Sequence, residues 1–554
     1  MFKSIDCIWI NSEIKSIVNN DCNSYKLFTD KGTIEYKFVK GVLILDINYT
    51  GDITFQLDMR DIYDFDDKGR VYNMYNEWGS TIVEYTKYHN SFLDTVNFKK
   101  FLLVHTQFKV ESIMQWKNQH YTEDEKRKSG PYDLFVFDAF KIKCSGKDRI
   151  KIHLSEDKKE ATKKLHESYN IPVIKSVNLD ITDEIDIAYN CCIQSLNSLH
   201  YDFNGFEGLF AGLPWFFQFW TRDEAISLNG FLALKKYDLV KKLIHERIKQ
   251  VNSEGRIPNR FPHSQLGTAD GTGWMFKRLY DLIFEIEANQ PFEEYFSKKN
   301  LYDFKDYVRK SIKLTNNKTK SLLVPNSDLE TWMDTSADDD TRGGFRIEIQ
   351  ALWLATLKLS NYIDKLLEKN PEFLALELRT KQKVKNTFLN GGFLNDGSED
   401  STVRPNIFLA YYLYPELLEK KEWEEVFDNS IDKLWLDWGG FTTIDKNSAL
   451  FKNEYSGEDN LSYHRGDSWF FVNNIAAVCL ARLNQGKYKS YIDKILQAST
   501  TDTLFLGAIG RPSEVSSAKE QRAQGSLFQL WSAATYIELV SILNQNNFFK
   551  SNNK

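Results

Sequence analysis

Gly205-Phe-Glu-Gly-Leu-Phe-Ala-Gly-Leu-Pro-Trp-Phe-Phe-Gln-Phe-Trp-Thr-Arg-Asp-Glu-Ala-Ile-Ser-Leu-Asn-Gly230 is the stretch from which the rest of the chain is best read. Seven aromatics between Phe206 and Trp220 lie among small residues and one proline. The stretch then passes through Arg222-Asp223 into an apolar, helix-like run. An aromatic wall beside a charged pair suits a sugar. Ring faces cover the C–H side of a pyranose, while a guanidinium and a carboxylate hold its hydroxyls by charge-assisted hydrogen bonds. The bland alternative is a buried aromatic loop around a structural ion pair.

Downstream of this stretch, and from about Asp180 onward, the apolar spacing is helical. Twelve segments, from Ile185 to Leu199 through Ser526 to Leu543, can each bury one face, with glycine-rich loops between them. Twelve helices close naturally as six inner and six outer, an (α/α)6 barrel. A solenoid would use the same number, but no repeat of fixed period supports it. Upstream, to about Lys151, short alternating runs such as Val42 to Tyr49 and Ile53 to Leu57 read as strands. Asp30-Lys31-Gly32, Thr50-Gly51-Asp52 and Asp67-Lys68-Gly69 read as turns between them, which predicts an antiparallel β-sandwich. Ser155 to Glu167 is rich in Lys and Glu and predicts an exposed connecting helix. The expected organisation is a multidomain β plus all-α chain: a β-sandwich over 1–154, a linker helix region over 155–184, and the barrel over 185–554.

Composition narrows the chemistry. At 554 residues the chain exceeds one ordinary core. Acidic residues outnumber basic ones by 77 to 71, and no basic run has the density of a nucleic-acid arm, so a neutral partner is expected. No stretch approaches 18 uncharged apolar residues, and the opening Met1 to Asp6 lacks a secretory h-region; a cytoplasmic chain that neither spans nor sits on a membrane is expected. Six dispersed cysteines and nine scattered histidines form no CxxC or HExxH pattern, so neither a disulfide framework nor a metal is expected, and no cofactor.

Three places in the helical half set polar groups in aromatic or glycine-rich loops: Glu330-Thr331-Trp332-Met333-Asp334, Tyr463-His464-Arg465-Gly466-Asp467-Ser468-Trp469, and Gly510-Arg511-Pro512-Ser513-Glu514. Glycoside hydrolysis needs one carboxyl that holds a proton and one that stays ionised. Asp334, beside Trp332 and Met333, is the better acid by its apolar neighbours. Glu514, near Arg511 in a polar loop, is the better base. Asp338-Asp339-Asp340 also reads as a solvated loop or helix cap, and His464 as a satisfied core histidine.

Taken in one order, the helical half resembles the amylo-α-1,6-glucosidase domain of glycogen debranching enzymes and, more distantly, glucoamylases. The likeness is carried by Ala211-Gly-Leu-Pro-Trp215 leading to Trp220-Thr-Arg-Asp223, Arg256-Ile-Pro-Asn-Arg-Phe261, Ala269-Asp-Gly-Thr-Gly-Trp274, Thr331-Trp-Met-Asp334, Ile347-Glu-Ile-Gln-Ala-Leu-Trp353, Arg404-Pro-Asn406, Tyr463-His-Arg-Gly466, and Glu514 ahead of Gln529-Leu-Trp-Ser532. In the β half, Asp58-Met-Arg-Asp-Ile-Tyr-Asp64 resembles the N-terminal domain of the shorter, single-activity debranching enzymes. The resemblance implies an inverting, exo-acting enzyme on an (α/α)6 barrel, with Asp334 as general acid and Glu514 as general base. Arg222 and Asp223 would hold the terminal glucose. Trp215, Trp220, Trp332, Glu348, His464 and Trp469 would line the pocket. Its substrates would be glycogen, a limit dextrin or a malto-oligosaccharide.

Three positions depart from the family's pattern: Thr221 stands where Gly is usual before the Arg-Asp pair, Arg465 where Asn is common, and Ser513 separates Pro512 from Glu514. They leave the linkage open between α-1,6 and the α-1,4 of glucoamylase. Two other readings remain: a phosphorylase on the same barrel, and a non-catalytic glucan-binding protein. There is no room for a separate (β/α)8 transferase domain of about 250 residues.

Overall fold

The computed structural model describes residues 5–20, 24–39, 41–61, 64, 66–88, 98–167, 183–203, 206–261, 267–457 and 459–549. The chain divides into two compact units, 1–177 and 178–554.

The first unit is built on ten antiparallel strands: β1 (Ile5–Ile10), β2 (Ile14–Asn20), β3 (Ser24–Thr29), β4 (Gly32–Val39), β5 (Val42–Leu57), β6 (Arg70–Glu77), β7 (Ser80–Lys87), β8 (Phe98–His105), β9 (Lys109–His120) and β10 (Asp133–Ser155). They run in the order β2-β3-β4-β5-β10-β8-β7-β6, with β1 added to β5 and β9 to β10. The long strands β5 and β10 pair along nearly their whole length, so each serves two parts of the sheet. The sheet folds over its own apolar face: Tyr72 of β6 stacks on Phe137 of β10 at 4.3 Å and meets Trp116 of β9 at 5.6 Å. Ile47, Phe55, Tyr85, Phe140 and Ile152 fill the core between. That is the expected antiparallel β unit.

Two local expectations need correction. Thr50-Gly51-Asp52 is not a turn but the middle of β5. The glycine is needed there because a Cβ would lie 2.5 Å from the Tyr49 hydroxyl and 2.6 Å from Asn11 Oδ1. The predicted connector does form a helix, α1 (Lys158–His166), N-capped by Asp157. It is not simply exposed, however: Ala161 and Leu165 are buried against Val42, Ile44, Ile82 and Leu103. The remainder of the expected linker, residues 168–182, lies outside the described residues, as do Ile62 and Tyr63 of the β-half motif and Gly205.

The second unit alternates outer and inner helices along the chain: α2 (Asp183–Leu199), α3 (Thr221–Ala233), α4 (Tyr237–Ile248), α5 (Gly271–Asn289), α6 (Lys298–Asn316), α7 (Ile347–Leu366), α8 (Leu374–Phe388), α9 (Asn406–Leu413), α10 (Lys420–Leu434), α11 (Phe470–Asn484), α12 (Lys489–Thr501) and α13 (Leu530–Gln545). The odd-numbered helices from α3 form a closed ring, each packed on the next and α13 back on α3; the even-numbered ones cover it from outside. Composition explains the sorting. An outer helix such as α10 buries only Trp423, Val426, Phe427, Ser430, Ile431 and Leu434, spaced three and four apart on one face. An inner helix such as α11 is buried on all sides from Phe470 to Ala481 and is apolar nearly throughout.

Small residues let the ring close. At Gly230 of α3 an added Cβ would lie 2.8 Å from the Cα of Ala534 on α13. Replacing Gly230 by Ala is therefore expected to force the two helices apart and lower stability by about 1–3 kcal/mol, read as a fall in Tm; an unchanged or higher Tm would contradict this close approach.

Candidate active site

All six inner helices begin at one rim of the ring, and the polar residues of the motif loops gather there. Their N-cap residues are Trp220, Asp270, Arg346, Pro405, Trp469 and Gln529. Two-residue strand pairs brace the rim just ahead of these helices, joining Phe219-Trp220 to Arg260-Phe261, Gly212-Leu213 to Phe528-Gln529, and Ser468-Trp469 to Val515-Ser516.

Arg222, in the first turn of α3, is 3% exposed. Its Nε donates to Asp270 Oδ2 at 2.7 Å and its Nη1 to Asp334 Oδ2 at 3.2 Å, while Nη2 is buried without a protein partner. Burial works against its charge, but Asp270 and Asp334 outweigh it and raise the pKa further. Asp334 is reached by solvent over 36% of its side chain and walled by protein elsewhere. Burial raises its carboxyl above the ordinary range against the pull of Arg222, and Asp270 adds to the rise. Such a carboxyl holds its proton to a higher pH than an ordinary aspartate does. Asp223, the next residue along, is pushed up to about 8 by burial, opposed by Arg222 and reinforced by both Glu514 and Asp334. The two carboxyls singled out in the sequence thus both act on Asp223.

Glu514 is 2% exposed. Its Oε1 accepts the Tyr463 hydroxyl at 2.7 Å and its Oε2 the Ser526 N–H at 2.9 Å. A ring of contacts links it to Asp334. Tyr463 packs on Trp469 at 4.7 Å, and Trp469 meets Trp332 edge-on at 5.4 Å, two residues before Asp334. The other way round, Ser526 Oγ donates to Leu213 O, Leu213 pairs with Phe528, and Gln529 Nε2 reaches Asp223 Oδ1 at 3.5 Å.

The other residues singled out in the sequence divide into two groups. Trp215 and Trp220 are half-buried at the rim, Trp220 beneath Arg260 at 5.5 Å. Trp332 is buried, and its Nε1 donates to Asn406 Oδ1 at 2.7 Å. His464 is buried between Trp332 and a stacked Trp469, with Nδ1 on Thr335 Oγ1 at 2.8 Å. Burial, and then Arg465 and three other arginines, hold it well below its ordinary pKa, so it is neutral. Glu348 does not present its oxygens to the pocket as expected: both accept from Arg342, at 2.8 and 3.2 Å, within a buried network that includes Asp396. Part of the opening stretch also follows the bland reading. Phe206, Phe219 and Phe261 enclose the guanidinium of Arg247, which pairs with buried Glu224 at 2.6 Å.

Arg465 and Arg404 both hold Asp340 at 2.8 Å, so that one residue of the acidic triplet is an ion-pair partner, while Asp338 and Asp339 are exposed. Arg511, read as the neighbour that keeps Glu514 ionised, reaches Ser195 Oγ of α2 at 3.3 Å. The sequence reading passed over Asp270 and Tyr463 as functional groups although both stood in its motifs. It also missed Asp467, which is fully buried, accepts from Ser462 Oγ at 2.7 Å, and is pushed up to about 8 by burial.

The family model described as amylo-alpha-1,6-glucosidase matches residues 195–538. Among solved structures, a bacterial glucoamylase complexed with acarbose is similar over 98% of this chain and 86% of its own, at 13% identity and a TM-score of 0.62. A mannosylglycerate hydrolase from Thermus thermophilus, in complex with glucose, is similar over 64% of this chain and 99% of its own, at 10% identity and a TM-score of 0.48. The glucoamylase likeness is one of fold. Comparison with curated proteins gave no match.

The raised carboxyl of Asp467 has a consequence for stability. Unfolded, it loses its proton near the ordinary value of 3.8; folded, near about 8. Between these the native state holds a proton that the unfolded state has released, so its contribution to stability, complete below 3.8, falls as pH rises and levels off above 8. Asp467→Asn removes this dependence. Its stability relative to the native sequence is expected to climb between about pH 5 and about pH 8, at no more than about 1.4 kcal/mol per pH unit, and its Tm with it. Parallel pH profiles for the two would contradict it.

Proposed function

We propose, from the premise that this chain belongs to the amylo-alpha-1,6-glucosidase family of glycoside hydrolases, that it is an exo-acting, inverting α-glucosidase that removes single glucose units from α-glucans. The observation that carries the reading is Asp334: a carboxyl raised by burial, open to solvent on one side and fixed by Arg222 on the other, with the hydrogen-bonded Glu514 acting, as Asp334 does, on Asp223.

In this mechanism the glucose at the non-reducing end enters first, its outer hydroxyls facing Asp223 and the unpartnered Nη2 of Arg222. Asp334 gives its proton to the glycosidic oxygen as the C1–O bond breaks. Glu514 takes a proton from a water molecule, whose oxygen bonds to C1 from the opposite face. The products are β-glucose and a glucan shortened by one unit, with Asp334 ionised and Glu514 protonated until a proton returns from one to the other through solvent. Inversion requires the carboxyls to stand roughly 6.5–9.5 Å apart, leaving room for that water. Trp215, Trp220 and Trp469 would shield the bond from bulk solvent.

The linkage assigned is α-1,6, the family's own, with glycogen, a limit dextrin or a malto-oligosaccharide as substrate in the cytoplasm, the compartment that dispersed cysteines suit. An α-1,4 preference is the second reading, because Thr221, which replaces the usual glycine, is built into the site by donating to Pro258 O.

Glu514→Gln and Asp334→Asn are each expected to lower kcat by about 100-fold or more on isomaltose or panose, with the fold retained. The native protein is expected to release β-glucose first and to prefer panose and isomaltose over maltotriose. Native turnover in Glu514→Gln, first release of α-glucose, or an absolute requirement for phosphate would each overturn the mechanism; a preference for maltotriose would overturn the linkage.

A further inference from the structure

Helix α12 does not stop at Thr501 but runs into one π-helical turn, Asp502–Leu506. Single π-helical turns are frequent at functional sites. Here the turn gives a fully buried carboxylate to the loop that carries Glu514. Asp502 Oδ2 accepts the backbone N–H of Ser513 at 2.7 Å, and Oδ1 accepts its hydroxyl at 2.6 Å. The turn is itself tied to the same loop, since Gly510 N–H donates to Thr503 O at 2.8 Å. Asp502 and Ser513 are both 0% exposed.

Ser513 is the residue that separates Pro512 from Glu514. An extra residue there adds two backbone torsions between the proline and the functional carboxylate, which the loop must hold fixed. On the far side Glu514 is already secured: its N–H donates to Ser526 O at 2.8 Å, and its carbonyl accepts from Phe470 N at 3.2 Å. Pro512 O accepts from Gln529 N at 2.9 Å. Asp502 clamps the residue between these anchors. Burial raises its carboxyl to about 7 even though the two hydrogen bonds from Ser513 lower it, so the Asp502 side chain and the serine depend on each other.

We propose that Asp502 is a positioning residue that acts through Ser513 to fix the backbone from which Glu514 projects, and so the line along which Glu514 addresses water. This rests on Glu514 being the base. A misplacement of about 1 Å at such a group costs about 100-fold in rate. A merely structural Asp502 would affect stability and leave turnover of the folded protein unchanged.

The test compares kcat, KM and Tm on isomaltose for Asp502→Asn, Ser513→Ala, their combination and Glu514→Gln. The Asn variant keeps one acceptor oxygen, so one of the two Ser513 donors loses its partner. Asp502→Asn is expected to lower kcat about 10- to 100-fold with KM within about twofold. Ser513→Ala is expected to have a smaller effect in the same direction. The double variant should be no worse than Asp502→Asn alone, because both changes break one linkage. If Glu514→Gln is inactive while folded Asp502→Asn turns over at the native rate, or if the two effects multiply, the positioning role is overturned and the base stands. If Glu514→Gln turns over at the native rate, the base assignment falls and this inference with it. Should Asp502→Asn fail to fold, Ser513→Ala decides alone: a fall in kcat at constant KM supports the role, and a native kcat overturns it.

Discussion

A buried guanidinium must find carboxylates or lose several kcal/mol to desolvation, and Arg222 finds two that lie far apart in the sequence. One is Asp270, at the start of the neighbouring inner helix; the other is Asp334, in the loop ahead of α7. That shared ion pair fixes the loop of Asp334 against two adjacent inner helices. It also places Asp334 between opposing influences, burial raising its pKa and Arg222 lowering it. The balance leaves a carboxyl that can carry a proton and still release it.

The barrel makes this arrangement possible. Alternation of inner and outer helices brings six helix starts to one rim, so residues in or just after the long loops that lead into the inner helices converge although they are spread over more than half the chain. Beneath the pocket a second buried network holds the rim together. Arg342 grips Glu348 and Asp396, Arg346 reaches Asp396 and Asp400, and Asn406 links Asp396 to Trp332. Removing one member of such a network strands the others as unpaired buried charges, and both oxygens of Glu348 are taken up in it by Arg342. Glu514 is secured differently, by backbone hydrogen bonds and the Tyr463 hydroxyl.

The helices were legible because their apolar spacing follows one period, and the rim motifs because aromatic and charged residues stand together in short stretches of sequence. The β unit was legible as antiparallel strands, yet Thr50-Gly51-Asp52 misled, since a glycine required by the close approach of Tyr49 and Asn11 looks in sequence like a glycine required by a turn. The aromatic run divided in a way composition does not reveal: Phe206 and Phe219 face inward onto Arg247, whereas Trp215 and Trp220 stay at the rim. Asp502 could not have been found, and Asp467, although it stands in the Tyr463–Trp469 stretch, is not set apart there from its neighbours. Nothing local distinguishes them from solvated aspartates, and their character comes from burial after the chain has closed.

The account stands on Asp334 and Glu514 addressing one sugar from opposite faces, with Arg222 and Asp223 at its far end. The most direct measurement is a crystal structure of the protein with a monosaccharide-sized glucosidase inhibitor bound. The account predicts a single ring at the rim, its outer hydroxyls on Arg222 Nη2 and Asp223, and the two carboxyls on opposite sides of C1, roughly 6.5–9.5 Å apart. An inhibitor bound away from the rim, or both carboxyls on one face of its ring, would contradict it.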